Sequence, residues 1–205
     1  MILNVINGME KSSKKSVGRP RGSGTGQARE LTPEEVERLT KCCGTRDRAL
    51  VWLCLGGGLR VSEAVHMRRE HVSSDGSVLV EGSTAKSRET RRVWLTPQAR
   101  KHLAAYLLER GSAPASAPLF PSRSGGGHMH PNWACRLVDG LLKAAGVDGA
   151  TSHSLRRTHA NTLRRQGVDV VVIKDQLGHA SLATTAAYLS ASALERAETL
   201  ARIRF

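Results

Sequence analysis

The hydrophobic pattern of this chain keeps a helical period over most of its ordered length and changes between residues 70 and 95. There, Val78-Leu79-Val80 and Arg92-Val93-Trp94-Leu95 are strand-like, and Asp75-Gly76 is a typical hairpin turn. Because helical signals dominate on both sides of this interval, the sequence predicts a mainly α fold with a small antiparallel β-sheet over residues 70–95.

Start and stop signals flank the predicted helices. Thr32-Pro33-Glu34-Glu35 can form a capping box, with the threonine as N-cap, the proline as first helical residue and Glu35 as the partner. The glycines at 56–58 end the second helix, and Thr96-Pro97 begins the helix after the sheet. Residues 111–127 are rich in Gly, Pro, Ser and Ala and predict a loop. Helices are predicted from residue 33 and over residues 47–55, 61–68, 97–109, 131–145, 154–166, 169–177, 182–190 and 192–203.

The charge of the chain favours a nucleic-acid partner. Its 31 Lys and Arg residues against 18 Asp and Glu residues give a net charge of +13, and 23 of those 31 are arginine. Arginine is the better bidentate ligand for phosphate, so the bias points beyond solubility. Aromatic residues make up only 3% of the chain, which is too few for a base-stacking surface that binds single strands.

Residues 1–30 read as a disordered basic tail, and residues 31–205 as one domain. The segment 11–26 is rich in Lys, Arg, Gly and Ser and has no apolar period with which to bury a core. Within it, Val17-Gly18-Arg19-Pro20-Arg21-Gly22 resembles an AT-hook, an arm that fits narrow minor grooves, and a tail that binds DNA without preference is an equal alternative. Either way, DNA contacts are predicted for Lys11, Lys14, Lys15, Arg19 and Arg21.

Nothing in the sequence predicts membrane association. No apolar run approaches the roughly 18–20 residues of a membrane span. The N-terminus lacks the basic start and the cleavage site of a signal peptide. The four cysteines form no CxxC pair, so we expect free thiols and a cytoplasmic location, associated with the nucleoid if the source is bacterial.

Three segments carry polar residues in otherwise apolar patterns. In GGLRVSE at 57–63, Arg60 lies where a glycine turn enters a helix, and Glu63 follows close enough to support it. His153 and Arg156 are three residues apart, so both can point at one anion. The third segment is LGH at 177–179, followed by Tyr188 on the next predicted helix.

The chain resembles the tyrosine recombinase (phage integrase) family in three segments that follow in this order: GGLRVSE, HSLRRTHANTLRRQG and LGHASLATTAAY. The resemblance covers about residues 31–189 and implies the DNA breaking-rejoining catalytic domain, a helical fold with a small sheet. It also implies a role for each site residue: phosphate-clamping arginines at Arg60 and Arg156, the HxxR histidine at His153, a third basic position at His179, a hairpin lysine at Lys86, a supporting acid at Glu63 and the nucleophile at Tyr188. Further DNA contacts are predicted at Arg88, Arg91 and Arg157.

The resemblance implies a site-specific recombinase that cuts and rejoins double-stranded DNA through a 3′-phosphotyrosyl intermediate at Tyr188. In this chemistry His153 takes the phenol proton, Lys86 protonates the leaving hydroxyl, and cationic groups stabilise the phosphate oxygens. The phosphotyrosine keeps the bond energy, so neither ATP, a metal nor another cofactor is expected. A zinc site is not predicted either, because His153 and His159 lie about 240° apart around a helix and no cysteine accompanies them.

The segment before the predicted domain is short, and in this the chain resembles the fimbrial phase-switch invertases within the family. The family implies a homotetramer on two synapsed sites, and accessory DNA-bending proteins are candidate further partners. The basic tail would wrap the far face of the duplex. The segment after Tyr188 would dock on a neighbouring protomer or pack within its own chain, through Leu194, Leu200 and Ile203.

Two other functions stay open at this point. One is a type IB topoisomerase activity, which uses the same half-reaction on a single duplex. The other is a DNA-binding regulator in which the catalytic set is idle.

Overall fold

The computed structural model describes residues 28–83, 89–123, 125 and 127–188, and within them the chain forms eight α-helices and one pair of strands. The mainly α class with a small antiparallel sheet is therefore confirmed. In chain order the elements are α1 Pro33–Cys42, α2 Thr45–Gly56, α3 Val61–His66, β1 Ser77–Val80, β2 Arg91–Trp94, α4 Pro97–Arg110, α5 Pro131–Ala144, α6 Ser152–Arg165, α7 Val170–Leu177 and α8 Leu182–Tyr188. The basic tail at 1–27 and the helix expected at 192–203 lie outside the described residues.

Helix α1 begins at the predicted capping box. The Thr32 hydroxyl accepts the backbone N–H of Glu35 at 3.3 Å, and the Glu35 carboxylate accepts the backbone N–H of Thr32 at 2.9 Å. Two of the N–H groups that a helix start leaves without helical partners are thus satisfied. Leu31 and Leu39 are buried on either side of this start and fix the helix against the core.

The two strands pair antiparallel, with Ser77 opposite Trp94 and Val80 opposite Arg91. The turn before β1 is the predicted one: Asp75 accepts hydrogen bonds from the backbone N–H and the hydroxyl of Ser77 at 2.9 and 2.7 Å. Side chains alternate across a strand, so Val93 is buried while Trp94 is 57% exposed. Arg91, two residues before Val93, shares the inward face of β2.

Helix α2 lies at the centre of the core and packs against α3, α4 and α6. Six consecutive or near-consecutive apolar residues of α2 are buried, from Ala49 to Leu55. The turn after it continues into the core, since Leu59, Val61 and Ala64 are also buried. The segment that carries Arg60 and Glu63 is therefore held by packing on both sides.

Within the described helices, none is long and apolar enough to cross a membrane. All four cysteines are free thiols: Cys43 and Cys54 are buried, Cys135 is half-buried and Cys42 is exposed.

Candidate active site

Glu63, in the first turn of α3, is the centre of a cluster of guanidinium groups. Its carboxylate is fully buried, and Oε1 accepts from Nη1 of Arg60 at 2.7 Å. Arg91 of β2 donates to both carboxylate oxygens, at 3.2 and 2.9 Å. Arg156 of α6 lies 3.9 Å from Oε2. Three elements distant in sequence thus bring three cations to one carboxylate.

The cluster keeps a net positive charge although Glu63 is ionised. Burial alone would raise the pKa of this carboxyl, but the hydrogen bonds and charge of Arg91, the backbone N–H of Arg60 and the charge of Arg156 hold it below its ordinary value. Three guanidinium charges and one carboxylate charge leave +2 on these four side chains. The positive charge is accessible at the open side of the cluster, where Arg60 is 22% exposed, and a group of this charge can attract an anion there.

Arg156 ties two distant turns together from within the core. Its side chain is 1% exposed, Nη1 donates to the Gly58 carbonyl and Nη2 donates to the Leu177 carbonyl at 2.5 Å. The first acceptor lies just before Arg60, and the second just before the turn into α8. One buried cation therefore fixes the spacing of the segments that bear the other site residues.

Gly58 must be glycine for the turn into α3 to form. Its φ is +68°, in the left-handed region. A Cβ there would lie 2.6 Å from Cδ2 of His159 and 2.9 Å from Cδ2 of Leu177. The backbone thus approaches α6 and α7 closely enough for its carbonyl to meet Arg156.

His179 lies beside the same cluster. It follows Gly178, whose left-handed conformation ends α7, and its Nδ1 is 2.9 Å from the hydroxyl of Thr185. Burial, and then the charges of Arg156, Arg60 and Arg91, lower the pKa of His179 to about 4. At neutral pH this side chain is therefore a neutral imidazole, which can donate one N–H hydrogen bond and carries no positive charge.

The structure places some of the other predicted site residues and does not describe the rest. His153 is exposed in the first turn of α6, one helical turn before Arg156. Arg157 is half-buried on the same helix. Helix α8 ends at Tyr188, but the side chain of this tyrosine lies outside the described part, as do Lys86, Arg88 and the basic tail.

Two buried residues have contacts that the sequence did not indicate. Arg91 was expected to contact DNA, and the structure directs its guanidinium to Glu63. The available signal was strand alternation, which places Arg91 on the buried face with Val93. His159 holds the end of α2 through Nδ1, 3.0 Å from the Leu55 carbonyl, and burial lowers its pKa to about 4. Among the residues with described positions, no group of three or more His, Cys, Asp or Glu could hold a metal ion.

The sequence matches the model of the phage integrase family over residues 29–195. Among curated relatives, it is 40% identical over 154 residues to tyrosine recombinase XerC of Rhodospirillum centenum, which covers 73% of this chain and 44% of that protein. It is 33% identical over 175 residues to tyrosine recombinase XerD of Caulobacter vibrioides, with 77% and 56% covered. The chain thus spans about half the length of the curated relatives it matches.

Solved structures show the same fold. The crystal structure of XerA recombinase superposes with a TM-score of 0.75 at 28% identity, over 89% of this chain and 66% of that one. XerH site-specific recombinase, bound to its palindromic difH substrate, gives a TM-score of 0.69 at 21% identity, over 87% and 54% of the two chains.

Proposed function

The chain belongs to the phage integrase family of tyrosine recombinases, and from that premise we propose that it is a site-specific DNA recombinase whose nucleophile is Tyr188. The observation that supports this most is the buried Glu63 carboxylate surrounded by Arg60, Arg91 and Arg156, with a net charge of +2. A site of this kind suits a phosphodiester, whose charge is negative and grows during attack.

The choice of nucleophile is supported by elimination. The chain contains two tyrosines, and Tyr106 is 5% exposed in the core. Its hydroxyl donates to the Leu119 carbonyl at 3.0 Å, and burial raises its pKa. Tyr188 therefore remains as the tyrosine for covalent chemistry.

In the proposed reaction the phenol oxygen of Tyr188 attacks the phosphorus and forms a P–O bond, while the bond to the 5′ oxygen breaks. The phenol proton passes to His153, and the leaving 5′ oxygen takes a proton from Lys86. The product is a 3′-phosphotyrosyl linkage with a free 5′ hydroxyl on the other DNA end. Attack by a 5′ hydroxyl of the partner strand reverses these steps and rejoins the DNA.

The charged groups then act on the phosphate oxygens. Arg60, which is partly exposed, contacts them from the open side of the cluster. Arg156 is buried on the inner side of the cluster and contributes its positive charge from there. His179, whose pKa is about 4, acts as a neutral hydrogen-bond donor rather than as a cation.

Binding to the duplex extends beyond this site in our proposal. Residues 31–205 form the catalytic domain, and the tail at 1–30 follows the DNA backbone with Lys11, Lys14, Lys15, Arg19 and Arg21. Arg88 and Arg157 add phosphate contacts near the site. Four protomers on two synapsed sites, with the energy of each broken bond stored in a phosphotyrosine, complete the reaction without ATP.

The test is covalent capture of DNA. A library of nicked duplexes with randomised sequence is incubated with the protein, and complexes that survive sodium dodecyl sulfate are recovered and sequenced. We expect adducts on a convergent sequence, their loss in Tyr188→Phe and their retention in Tyr106→Phe. Absence of any adduct with the wild-type chain, or adducts that persist in Tyr188→Phe, would contradict the proposal.

A further inference from the structure

Arg91 is the first residue of β2, and its side chain is 10% exposed. Besides its two bonds to Glu63, its Nε donates to the Gln176 carbonyl in the last turn of α7 at 3.4 Å. A Cβ on Gly178 would lie 2.7 Å from both Cζ and Nε of Arg91, so this glycine's backbone packs directly on the guanidinium. The group therefore touches α3, α7 and the turn that carries His179.

A second set of hydrogen bonds, made by the Gln176 side chain, joins the same two elements, β2 and α7. The side-chain amide of Gln176 donates to the carbonyls of Trp94 and Gly57, at 2.7 and 3.2 Å, and its oxygen accepts the Trp94 N–H at 3.2 Å. Both ends of strand β2, at Arg91 and at Trp94, are thus hydrogen-bonded to Gln176 in the last turn of α7. Arg91 is the charged member of this connection and the one that reaches the carboxylate.

We propose that Arg91 is a positioning residue of this active site, which contacts no DNA and holds Glu63 and the Gly178 turn at a fixed spacing so that Arg60 and His179 meet the same phosphate. This role presupposes the proposed recombinase function. It replaces the DNA contact that the sequence suggested for Arg91, because the guanidinium is turned inward and its three nitrogens are directed to protein acceptors.

The geometry requires a guanidinium. Its planar fork matches both oxygens of one carboxylate and leaves Nε for a third acceptor. A lysine at this position supplies the charge from a single nitrogen and cannot make the same three contacts. Charge and positioning are therefore separable by substitution.

The neighbouring residue provides a matched control. Arg92 points to the other face of β2, is 49% exposed, and donates to the hydroxyls of Ser73 and Ser77 at 3.0 and 2.9 Å. Replacing it removes the same charge one residue away without touching Glu63 or Gly178.

The experiment compares Arg91→Gln, Arg91→Lys and Arg92→Gln with the wild type on the duplex selected by covalent capture. For Arg91→Gln we expect adduct formation to slow by about a hundredfold, the effect of misplacing catalytic groups by about an ångström. Arg91→Lys restores part of the rate, and Arg92→Gln keeps it. The salt dependence of DNA binding stays unchanged in Arg91→Gln. A slope reduced by about one in that variant marks a phosphate contact and overturns the proposal, as does a wild-type rate of adduct formation.

A measurement without DNA separates this proposal from the recombinase function. The pKa of the His179 ring is followed by nuclear magnetic resonance. The charges that act on the ring are those of Arg60 just before α3, Arg91 of β2, Arg156 of α6 and the carboxylate of Glu63. Loss of Arg91 removes one of the charges that lower it and loosens the turn, so the pKa rises from about 4 toward its ordinary value in Arg91→Gln.

Different results would overturn the positioning role of Arg91 and the recombinase function. The lost charge by itself raises the His179 pKa in Arg91→Gln, so the positioning role is tested in folded Arg91→Lys, which keeps the charge and loses the three contacts. An unchanged His179 pKa in Arg91→Lys overturns the positioning role, whatever happens to DNA. A wild-type chain that captures no DNA, with the His179 pKa shift present, overturns the recombinase function and leaves the positioning intact. If circular dichroism shows that Arg91→Gln does not fold, Arg91→Lys carries both measurements, because it keeps the charge and loses the bidentate contact.

Discussion

Replacing Glu63 by glutamine tests whether the central carboxylate holds the cluster together. The substitution keeps the size and shape of the side chain and removes its charge. Arg60, Arg91 and Arg156 would then face a neutral amide in a site where the residue at position 63 is fully buried. The amide nitrogen also places a donor against guanidinium donors.

The expected loss follows from burial. Removing one partner of a buried ion pair costs about 3–5 kcal/mol, because the remaining charge stays desolvated without its counter-ion. Two of the three cations stay largely buried, since Arg156 is 1% exposed and Arg91 is 10% exposed. We therefore expect Glu63→Gln to lower the free energy of unfolding by about 3 kcal/mol or more.

The measurement is urea unfolding followed by circular dichroism at pH 7, with Glu37→Gln as the control. Glu37 pairs with Lys41 at 2.6 Å, but the two side chains are 65% and 73% exposed, so this i,i+4 pair contributes at most about 0.5 kcal/mol. The pKa of Glu63 lies below its ordinary value, so its contribution is present at neutral pH and fades as the pH falls through that lowered pKa. A loss in Glu63→Gln no larger than that in Glu37→Gln would refute the reasoning.

Two further predictions follow from the buried turn and the buried histidines. Gly58→Ala should destabilise the fold by more than the roughly 1–2 kcal/mol of a left-handed alanine, because its Cβ would lie 2.6 Å from Cδ2 of His159. Gly146→Ala, with a similar φ of +66° and open space around it, should show only the backbone cost in the same thermal melts, and equal losses would contradict this. His159 and His179 both have pKa values of about 4 in the fold against an ordinary value of 6.5, so stability is complete above pH 6.5 and falls as the pH drops toward 4. His159→Phe should flatten that decline in melting temperature, and an unchanged slope would count against a neutral buried imidazole.

The parts of the fold that sequence predicts well are those with local causes. The capping box at Thr32 and the turn at Asp75 form because the participating groups are within three residues of each other, and both appear as expected. The pair Arg60 and Glu63 is local in the same sense, one helical turn apart at the start of α3. The other candidate site residues were predicted from the family motifs. The order of those motifs along the sequence does not predict how far apart their side chains lie in the fold.

Arg91 shows what local reasoning leaves out. Its sequence neighbours, two further arginines at 88 and 92, favoured an exposed basic hairpin and a DNA contact. Its burial depends on α7 packing against β2 and on a carboxylate that is twenty-eight residues away. The gathering of these elements around Arg156 is likewise tertiary, because its acceptors on Gly58 and Leu177 come from opposite ends of the domain.

The charge of the cluster suits one stage of the proposed reaction better than the others. A phosphodiester carries one negative charge, and attack by a deprotonated phenol adds a second to the five-coordinate intermediate. Arg60, Arg91, Arg156 and Glu63 together carry +2, and His179 stays neutral because its pKa is about 4. Interactions that strengthen as charge develops accelerate the reaction, whereas those that bind both states equally do not. Coulomb attraction grows with the product of the charges, so a site of +2 attracts the dianion more strongly than the monoanion. Glu63 weakens the attraction for both states by cancelling one of three positive charges, and its part in the proposed reaction is to hold Arg60, Arg91 and Arg156 together.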